Sequence, residues 1–157
     1  MLHTRFRLLL KHNNMLITKA GNYRENVIQL LTAVKLPVED LPLSLENFYV
    51  VVDNSNEVIG IAGLEIYGDN GLLRSLAILP EYRDRGIANQ LLERVENLAL
   101  LNNLKAICLL TETAHEYFSR KGYARIARAD VPEAVRASSE FSHVCPVSAI
   151  VMKKELI

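Results

Sequence analysis

The chain has 157 residues, half of them hydrophobic, which is typical of one globular domain with a packed core. Its 18 Lys and Arg residues balance 18 Asp and Glu residues, so no overall positive charge favours nucleic acid or an anionic membrane. The two cysteines match neither a disulfide framework nor a zinc pattern, and no apolar run approaches the ~20 residues of a membrane span, so we expect a cytoplasmic domain without metal.

The first fourteen residues carry basic side chains and no acid around a short leucine run at 8–10. That run is too short for a signal peptide, and no small-residue cleavage site follows it. We therefore treat residues 1–14 as an N-terminal extension before Met15 and expect the domain to span residues 15–157.

Strand and helix signals alternate from Met15 onward. The spacing of apolar residues and the position of turn residues predict the following order: strand 16–19, helix 22–34, strands 48–52, 58–67 and 72–79, helix 87–101, strand 104–110, helix 114–121, and strands 123–126 and 148–155. The nearly continuous apolar run at 104–110 indicates a strand buried on both faces. Gly122 follows the predicted helix 114–121 and is placed to cap its C-terminal end. This pattern predicts one α/β domain, with an antiparallel meander formed by the three strands between 48 and 79.

The most informative segment joins a strand, a loop and a helix. The strand ends at Pro80, the turn carries Arg83 and Arg85, and Gly86 opens the helix. A helix start presents backbone N–H groups and the positive end of the helix dipole, which together suit a phosphate. The glycine and Ala88 keep side chains away from such a ligand. The alternative is an ordinary strand-to-helix turn with solvated arginines, since the segment is neither a P-loop nor a Rossmann fingerprint.

The same segment resembles the central motif of the GNAT superfamily of N-acetyltransferases, Arg/Gln-x-x-Gly-x-Gly/Ala, which stands here at residues 83–88. Residues 110–123 are similar to the acetyltransferase domain of bacterial N-acetylglutamate synthases, and residues 129–146 look like the arsenic-resistance-associated branch of N-acetyltransferases. The resemblance implies a mixed, mostly antiparallel sheet of six to seven strands, splayed in the middle and flanked by about four helices.

The resemblance also implies that acetyl passes from acetyl-CoA directly to an amine, without a covalent enzyme intermediate. It assigns backbone contacts with the pantetheine arm and thioester to Leu76, Ala77 and Ile78. An N–H near Ile78 then stabilises the oxyanion that forms when the amine attacks. The remaining cofactor contacts fall on Arg83, Asp84, Arg85, Gly86, Ile87, Ala88, Asn89, Thr111 and Phe118.

One position departs from the family pattern. Many relatives carry a tyrosine that protonates the departing thiolate, whereas this chain has Phe118, with Tyr117 beside it. A thiol with a pKa of about 8.5 leaves as thiolate near neutral pH, so loss of the acid slows the reaction without preventing it. Tyr123 is expected to belong to the core.

The acceptor side offers four candidate residues. Glu65 is the candidate general base, and its alternative is a solvated or ion-paired strand carboxylate. Arg74, which strand alternation places opposite Leu73 and Ser75, needs an anionic partner if it is buried; that partner is either a substrate carboxylate or an internal acid. Ser75 and Arg136 are further candidates for substrate binding.

The resemblance implies an N-acetyltransferase, and Arg74 together with the similarity to the glutamate synthases predicts a small, amino-acid-like amine as its acceptor; we expect a monomer or homodimer. A protein N-terminus, a lysine or a polyamine is the alternative acceptor, and a non-catalytic acyl-CoA sensor is the alternative function. Cys108 and Cys145 are expected to be structural, since direct transfer needs no nucleophile and His143 near Cys145 has no placed acid. His115 is expected to face solvent.

Overall fold

The computed structural model describes residues 8–9, 15–141 and 148–156. Within these ranges the elements are β1 Leu8–Leu9, β2 Leu16–Lys19, α1 Arg24–Ala33, β3 Phe48–Val52, β4 Val58–Tyr67, β5 Asn70–Ile78, α2 Ile87–Leu101, β6 Ala106–Thr111, α3 His115–Arg120, β7 Ala124–Arg125, α4 Glu133–Arg136 and β8 Ile150–Glu155. Short 3-10 helices cover Pro80–Tyr82 and Arg128–Asp130. The predicted mixed α/β fold is confirmed. Residues 1–7 and 10–14 of the N-terminal extension, together with His143 and Cys145, lie outside the described residues.

The strands follow the order β1-β2-β3-β4-β5-β6-β8-β7. β1 pairs antiparallel with β2, β2 with β3, and β3 with β4. β8 pairs antiparallel with both β6 and β7, whereas β5 and β6 are parallel. The parallel register covers residues 70–72 of β5, which then continues to Ile78. Pairing confined to the start of β5 agrees with the separation of strands that the resemblance implies. The sheet exceeds the expected six to seven strands because Leu8–Leu9, left out of the prediction, pairs with β2.

Two compact units share the chain, and β4, β5 and α2 contribute to both. The first unit comprises the described residues up to Gly63 together with Ser75–Val95, and its core packs one face of α1 against β3 and β4. The buried members of this core are Ala20, Val27, Leu30, Leu31, Leu41, Leu45, Phe48, Val50, Val52, Val58, Ile61 and Ala77. The helical spacing of the α1 members is the apolar stripe on which the prediction of that helix rested.

The second unit comprises Leu64–Arg74 and the described residues from Glu96 onward. A core cluster joins β5, β6 and β8 to the segment around α4 through Leu72, Cys108, Val131, Val135, Phe141 and Val151. Residues 106–109 of β6 are all buried, which confirms the strand predicted to be covered on both faces. Burial raises the pKa of the Cys108 thiol, as befits a structural cysteine.

The turn between β4 and β5 lies earlier than predicted. Gly68 takes the left-handed conformation with φ +63°, so that β5 begins at Asn70 and not at Leu72. Gly71, expected in the turn, is instead buried in the strand, where a Cβ would lie 2.6 Å from Cδ1 of Leu64. The predicted cap at Gly122 is confirmed by its φ of +94°.

We predict that Gly63→Ala destabilises the protein by about 1–3 kcal/mol, because the added Cβ overlaps the ring of Phe48 directly across from it on β3. Gly21→Ala is the matched control, since a Cβ at Gly21 meets nothing within 4 Å. Urea unfolding of the two variants measures the difference. Equal stability of Gly63→Ala and the wild type would contradict the packing of Phe48 on this glycine.

Candidate active site

The second half of β5 departs from a regular strand at Ser75. This residue has φ +62°, a left-handed conformation that is rare for a side chain other than glycine. Such a residue ends the period-two alternation of a strand, so the alternation assumed around Arg74 does not continue through Ser75. Ser75 and Leu76 are half-buried, and the strand becomes buried again at Ala77 and Ile78.

The end of β5 is held by hydrogen bonds and by close packing. The N–H of Leu79 donates to the carbonyl of Ile59 at 2.9 Å, and Nε of Arg83 donates to the carbonyl of Ile78 at 2.9 Å. Gly60 leaves room for this strand end, since a Cβ there would lie 2.8 Å from Cδ1 of Ile78. The final peptide of β5 is therefore fixed from both of its hydrogen-bonding sides.

The loop that follows is shaped by two left-handed residues, Asp84 at φ +63° and Gly86 at φ +78°. Space around Gly86 is open, since a Cβ there would meet nothing within 4 Å. The hydrogen bond from the N–H of Gln90 to the carbonyl of Gly86 opens α2, which leaves the first-turn N–H groups directed out of the helix end. A helix start of this kind can bind an anion, and the exposed Arg85 lies in the loop before it.

A buried ion pair connects β4 and β5 in the second unit. Nη1 of Arg74 lies 3.2 Å from Oε2 of Glu65, and the two side chains are 0% and 13% exposed. The hydroxyl of Tyr67 donates to Oε1 of the same carboxylate at 2.6 Å. Burial raises the pKa of Tyr67, and the hydrogen bond to Glu65 adds to the shift, while a hydrogen bond with Ser138 opposes it. Both oxygens of Glu65 are thus engaged by neighbouring side chains.

The aromatic residues after β6 pack against one another. Phe118 is buried and meets Tyr117 and Tyr123 edge to face, with ring centroids 5.2 and 5.6 Å apart. The hydroxyl of Tyr123 donates to Oε2 of Glu96 at 2.9 Å, and Nζ of Lys154 donates to the same oxygen at 3.1 Å. Burial, together with the nearby Glu96, raises the pKa of Tyr123. Its position agrees with the expected core role.

Residues 44–125 match the family Acetyltransferase (GNAT) domain. The chain belongs to this GNAT family. Over 102 residues, or 64% of its length, it is 35% identical to an amino-acid acetyltransferase of Pseudomonas fluorescens. It spans only 23% of that protein, so the similarity concerns one part of the relative.

Two solved structures share the fold. An acetyltransferase of the GNAT family from Staphylococcus aureus superposes with a TM-score of 0.75 at 20% identity, covering 91% of this chain and 99% of that one. The N-acetylglutamate synthase of Neisseria gonorrhoeae, in complex with coenzyme A and L-arginine, also gives 0.75, at 18% identity over 92% of this chain and 34% of its own. The predicted GNAT fold is therefore confirmed.

The candidate residues of this GNAT domain divide between the two units. Those predicted for the pantetheine arm and the diphosphate are brought together in the first unit, at the end of β5 and the start of α2: Leu76, Ala77, Ile78, Arg83, Asp84, Arg85, Gly86, Ile87, Ala88 and Asn89. Glu65, Arg74, Thr111, Phe118 and Arg136 belong to the second unit. Oγ1 of Thr111 accepts the N–H of Ala114 at 3.0 Å, and Arg136 is exposed at the end of α4.

Sequence reasoning missed the groups that hold the charged residues in place. Tyr67 lies two positions after Glu65 on the same strand, a spacing that places both on one face and was available as a signal. Ser138 and Lys154 are distant in sequence from the groups they serve, and no local pattern points to them. His115 is exposed, as expected.

The part of the chain that the structure describes shows neither a metal-binding cluster nor a membrane-spanning helix. Residues 15–141 and 148–156 contain no group of three or more His, Cys, Asp or Glu side chains arranged to hold a metal ion. In the same part of the chain, no helix combines the length and the apolar character needed to cross a bilayer.

We predict that Arg74→Met destabilises the protein by about 3–5 kcal/mol, because the buried Glu65 carboxylate loses its cation. The control is Lys105→Met, which breaks a pair with Asp69 whose side chains are 73% and 67% exposed and which we expect to cost less than about 1 kcal/mol. Urea unfolding compares the two. The double variant R74M/E65Q should recover part of the loss, and strict additivity would contradict the pairing.

Proposed function

We propose that this GNAT domain is an acetyl-CoA-dependent N-acetyltransferase that acts on the amine of a small, amino-acid-like acceptor. The observation that carries the proposal is the loop between β5 and α2 in the first unit. Its left-handed Asp84 and Gly86 turn the chain into a helix start with open space around it, within the segment that matches the family. Acetyl-CoA supplies the activated acetyl group as a thioester.

The loop suits the diphosphate of the cofactor for electrostatic and steric reasons. Backbone N–H groups at the start of α2 and the helix dipole favour a negatively charged ligand. Arg85 adds positive charge and is kept in the loop by a bond from Nη2 to the carbonyl of Glu81 at 3.1 Å and by the Tyr82 ring, 5.3 Å away. Gly86 presents no side chain, so the ligand can approach the backbone closely.

The chemical step rests on a placed donor and on positioning. The N–H of Ile78, in the last residue of β5, is the donor that we assign to the oxyanion formed during attack by the amine. The backbone of Leu76 and Ala77 leads up to that residue and would align the pantetheine arm. Phe118 has no proton to give, so the thiolate leaves as an anion, which a thiol of ordinary acidity permits.

An amino-acid-like acceptor is supported by the relatives, two of which are an amino-acid acetyltransferase and an N-acetylglutamate synthase. Glu65 remains the candidate base, and its two oxygens contact the Tyr67 hydroxyl and the Arg74 guanidinium. Because Arg74 is enclosed whereas Arg136 is exposed, Arg136 is the more accessible of the two arginines to a carboxylate from solvent. Ser75, half-buried in β5, is the remaining candidate contact.

Calorimetric titration with acetyl-CoA, followed by thiol release across amino acids, polyamines, a lysine peptide and a peptide N-terminus, tests the proposal. Binding with turnover on amino acids supports it. Turnover confined to polyamines or peptides replaces the acceptor, and binding without any turnover favours an acyl-CoA sensor, the alternative that Phe118 keeps open. Absence of binding contradicts the proposed function.

We predict that Gly86→Asp weakens acetyl-CoA binding about tenfold or more, because a carboxylate at the helix start repels the diphosphate. Aspartate tolerates the left-handed conformation that this position requires. Gly68→Asp is the matched control, since Gly68 also has a positive φ and open surroundings but lies in the β4–β5 turn. Equal affinities of the two variants, measured by calorimetry, would contradict the diphosphate site.

We predict that Arg136→Met raises the KM for an amino-acid acceptor about tenfold while leaving kcat within about threefold, as loss of a substrate-binding contact does. The control is Arg125→Met, which removes an equally exposed guanidinium from β7. Steady-state kinetics with the preferred acceptor from the panel measures both. An unchanged KM in Arg136→Met would remove Arg136 from the acceptor site.

A further inference from the structure

Arg83 makes a contact that differs from that of a simple phosphate-binding cation. Arg83 is exposed, yet its Nε donates a partly buried hydrogen bond of 2.9 Å to the carbonyl of Ile78. Arg83 follows Ile78 by five positions in the chain, so this hydrogen bond ties the loop to the end of β5. A bond between a guanidinium and a carbonyl is charge-assisted and stronger than a neutral one.

We propose that Arg83 is a positioning residue that acts through the Ile78–Leu79 peptide and fixes the end of β5 on which acetyl transfer depends. The inference rests on the proposed function, because that function gives the N–H of Ile78 its role. Through this contact Arg83, a residue of the loop, affects the position of the acetyl group as well as the binding of the diphosphate.

The need for such a restraint follows from the place of Ile78 in the strand. It is the last residue of β5, where the regular ladder stops and a strand end is free to fray. An oxyanion donor contributes most when it is fixed before the reaction, and a displacement of about 1 Å can lower the rate about a hundredfold. The bond to Arg83 and the bond from the N–H of Leu79 to Ile59 hold the two faces of the peptide that follows this donor.

Arg85 provides an internal comparison because it lies two residues away in the same loop and is also exposed. Its Nη2 donates to the carbonyl of Glu81 and its guanidinium lies over Tyr82, so these contacts stay within the loop and its short 3-10 helix. Replacing either arginine by methionine removes one positive charge from the loop. Only the replacement of Arg83 removes the bond to β5.

The first experiment follows hydrogen exchange of the Leu79 amide in the unliganded protein, in the wild type and in Arg83→Met, Arg83→Gln and Arg85→Met. Methionine removes both charge and donor, whereas glutamine removes the charge and keeps an N–H donor. We expect exchange at Leu79 to be about tenfold faster in Arg83→Met, and within about threefold of the wild type in Arg83→Gln and Arg85→Met. Unchanged exchange in Arg83→Met would overturn the proposal, whether or not the protein binds coenzyme A.

The second experiment compares the affinities of the same proteins for acetyl-CoA and for CoA by calorimetry. The two ligands share the diphosphate and the pantetheine arm, so loss of a contact with either weakens both equally, whereas loss of the contact between the Ile78 N–H and the acetyl carbonyl weakens only acetyl-CoA. We expect Arg83→Met to lose the preference for acetyl-CoA, Arg83→Gln to keep it, and Arg85→Met to weaken both ligands by the same factor. With the preferred acceptor, kcat at saturating acetyl-CoA should fall about tenfold or more in Arg83→Met and recover in Arg83→Gln.

Two results would contradict this role. If Arg83→Met and Arg83→Gln weaken both ligands equally and leave kcat intact, Arg83 acts as a phosphate cation alone. If the wild type binds acetyl-CoA and CoA equally, the Ile78 donor acts on the oxyanion alone and kcat decides: an unchanged kcat in Arg83→Met then overturns the inference while the cofactor site stands. A wild type that binds neither ligand contradicts the proposed function itself, and the exchange rates of Leu79 then decide the bond separately.

Discussion

The Ile78–Leu79 peptide is the fixed point around which the first unit is arranged. Its N–H reaches back to Ile59 on β4, and its carbonyl accepts the guanidinium of Arg83 from the loop ahead. Because both bonds meet on one peptide, the end of β5 is tied to β4 on one side and to the loop at Arg83 on the other. The left-handed residues Asp84 and Gly86 then complete the turn from this strand end into α2.

In the second unit the corresponding constraint is electrostatic. A guanidinium whose side chain is fully buried must meet an anion, and Arg74 meets Glu65 across β4 and β5. The hydroxyl of Tyr67 occupies the other oxygen of that carboxylate. Such a network connects β4 to β5 through buried polar side chains, and it gives the candidate base two partners that already contact its oxygens.

The sequence predicts most of this fold because its signals are strong where elements are long and periodic. The stripe along α2 and the buried run at 106–109 belong to that class. Shorter features escape, since the four residues of α4 give no measurable period. Gly68 takes the left-handed conformation of the turn, whereas Gly71 packs against Leu64 and Leu104, and local sequence does not distinguish these two roles. The sequence left the anionic partner of Arg74 open, and it did not predict the positive φ of Ser75, because both features depend on tertiary contacts.

The tyrosines of the second unit bear on how the proposed reaction ends. Burial raises the pKa of Tyr67, Tyr117 and Tyr123, and Glu65 and Glu96 hold the hydroxyl protons of the first and the last. A general acid works best when its pKa lies near the operating pH, so these shifts make all three poorer donors than an ordinary tyrosine. In the proposed reaction, where the resemblance implies the family's acid at the position of Phe118, the thiolate would depart on its own acidity. The chain's contribution to the rate then falls on the placement of the thioester and of the Ile78 donor, which is why a restraint on the end of β5 would matter more here than in a relative that keeps its acid.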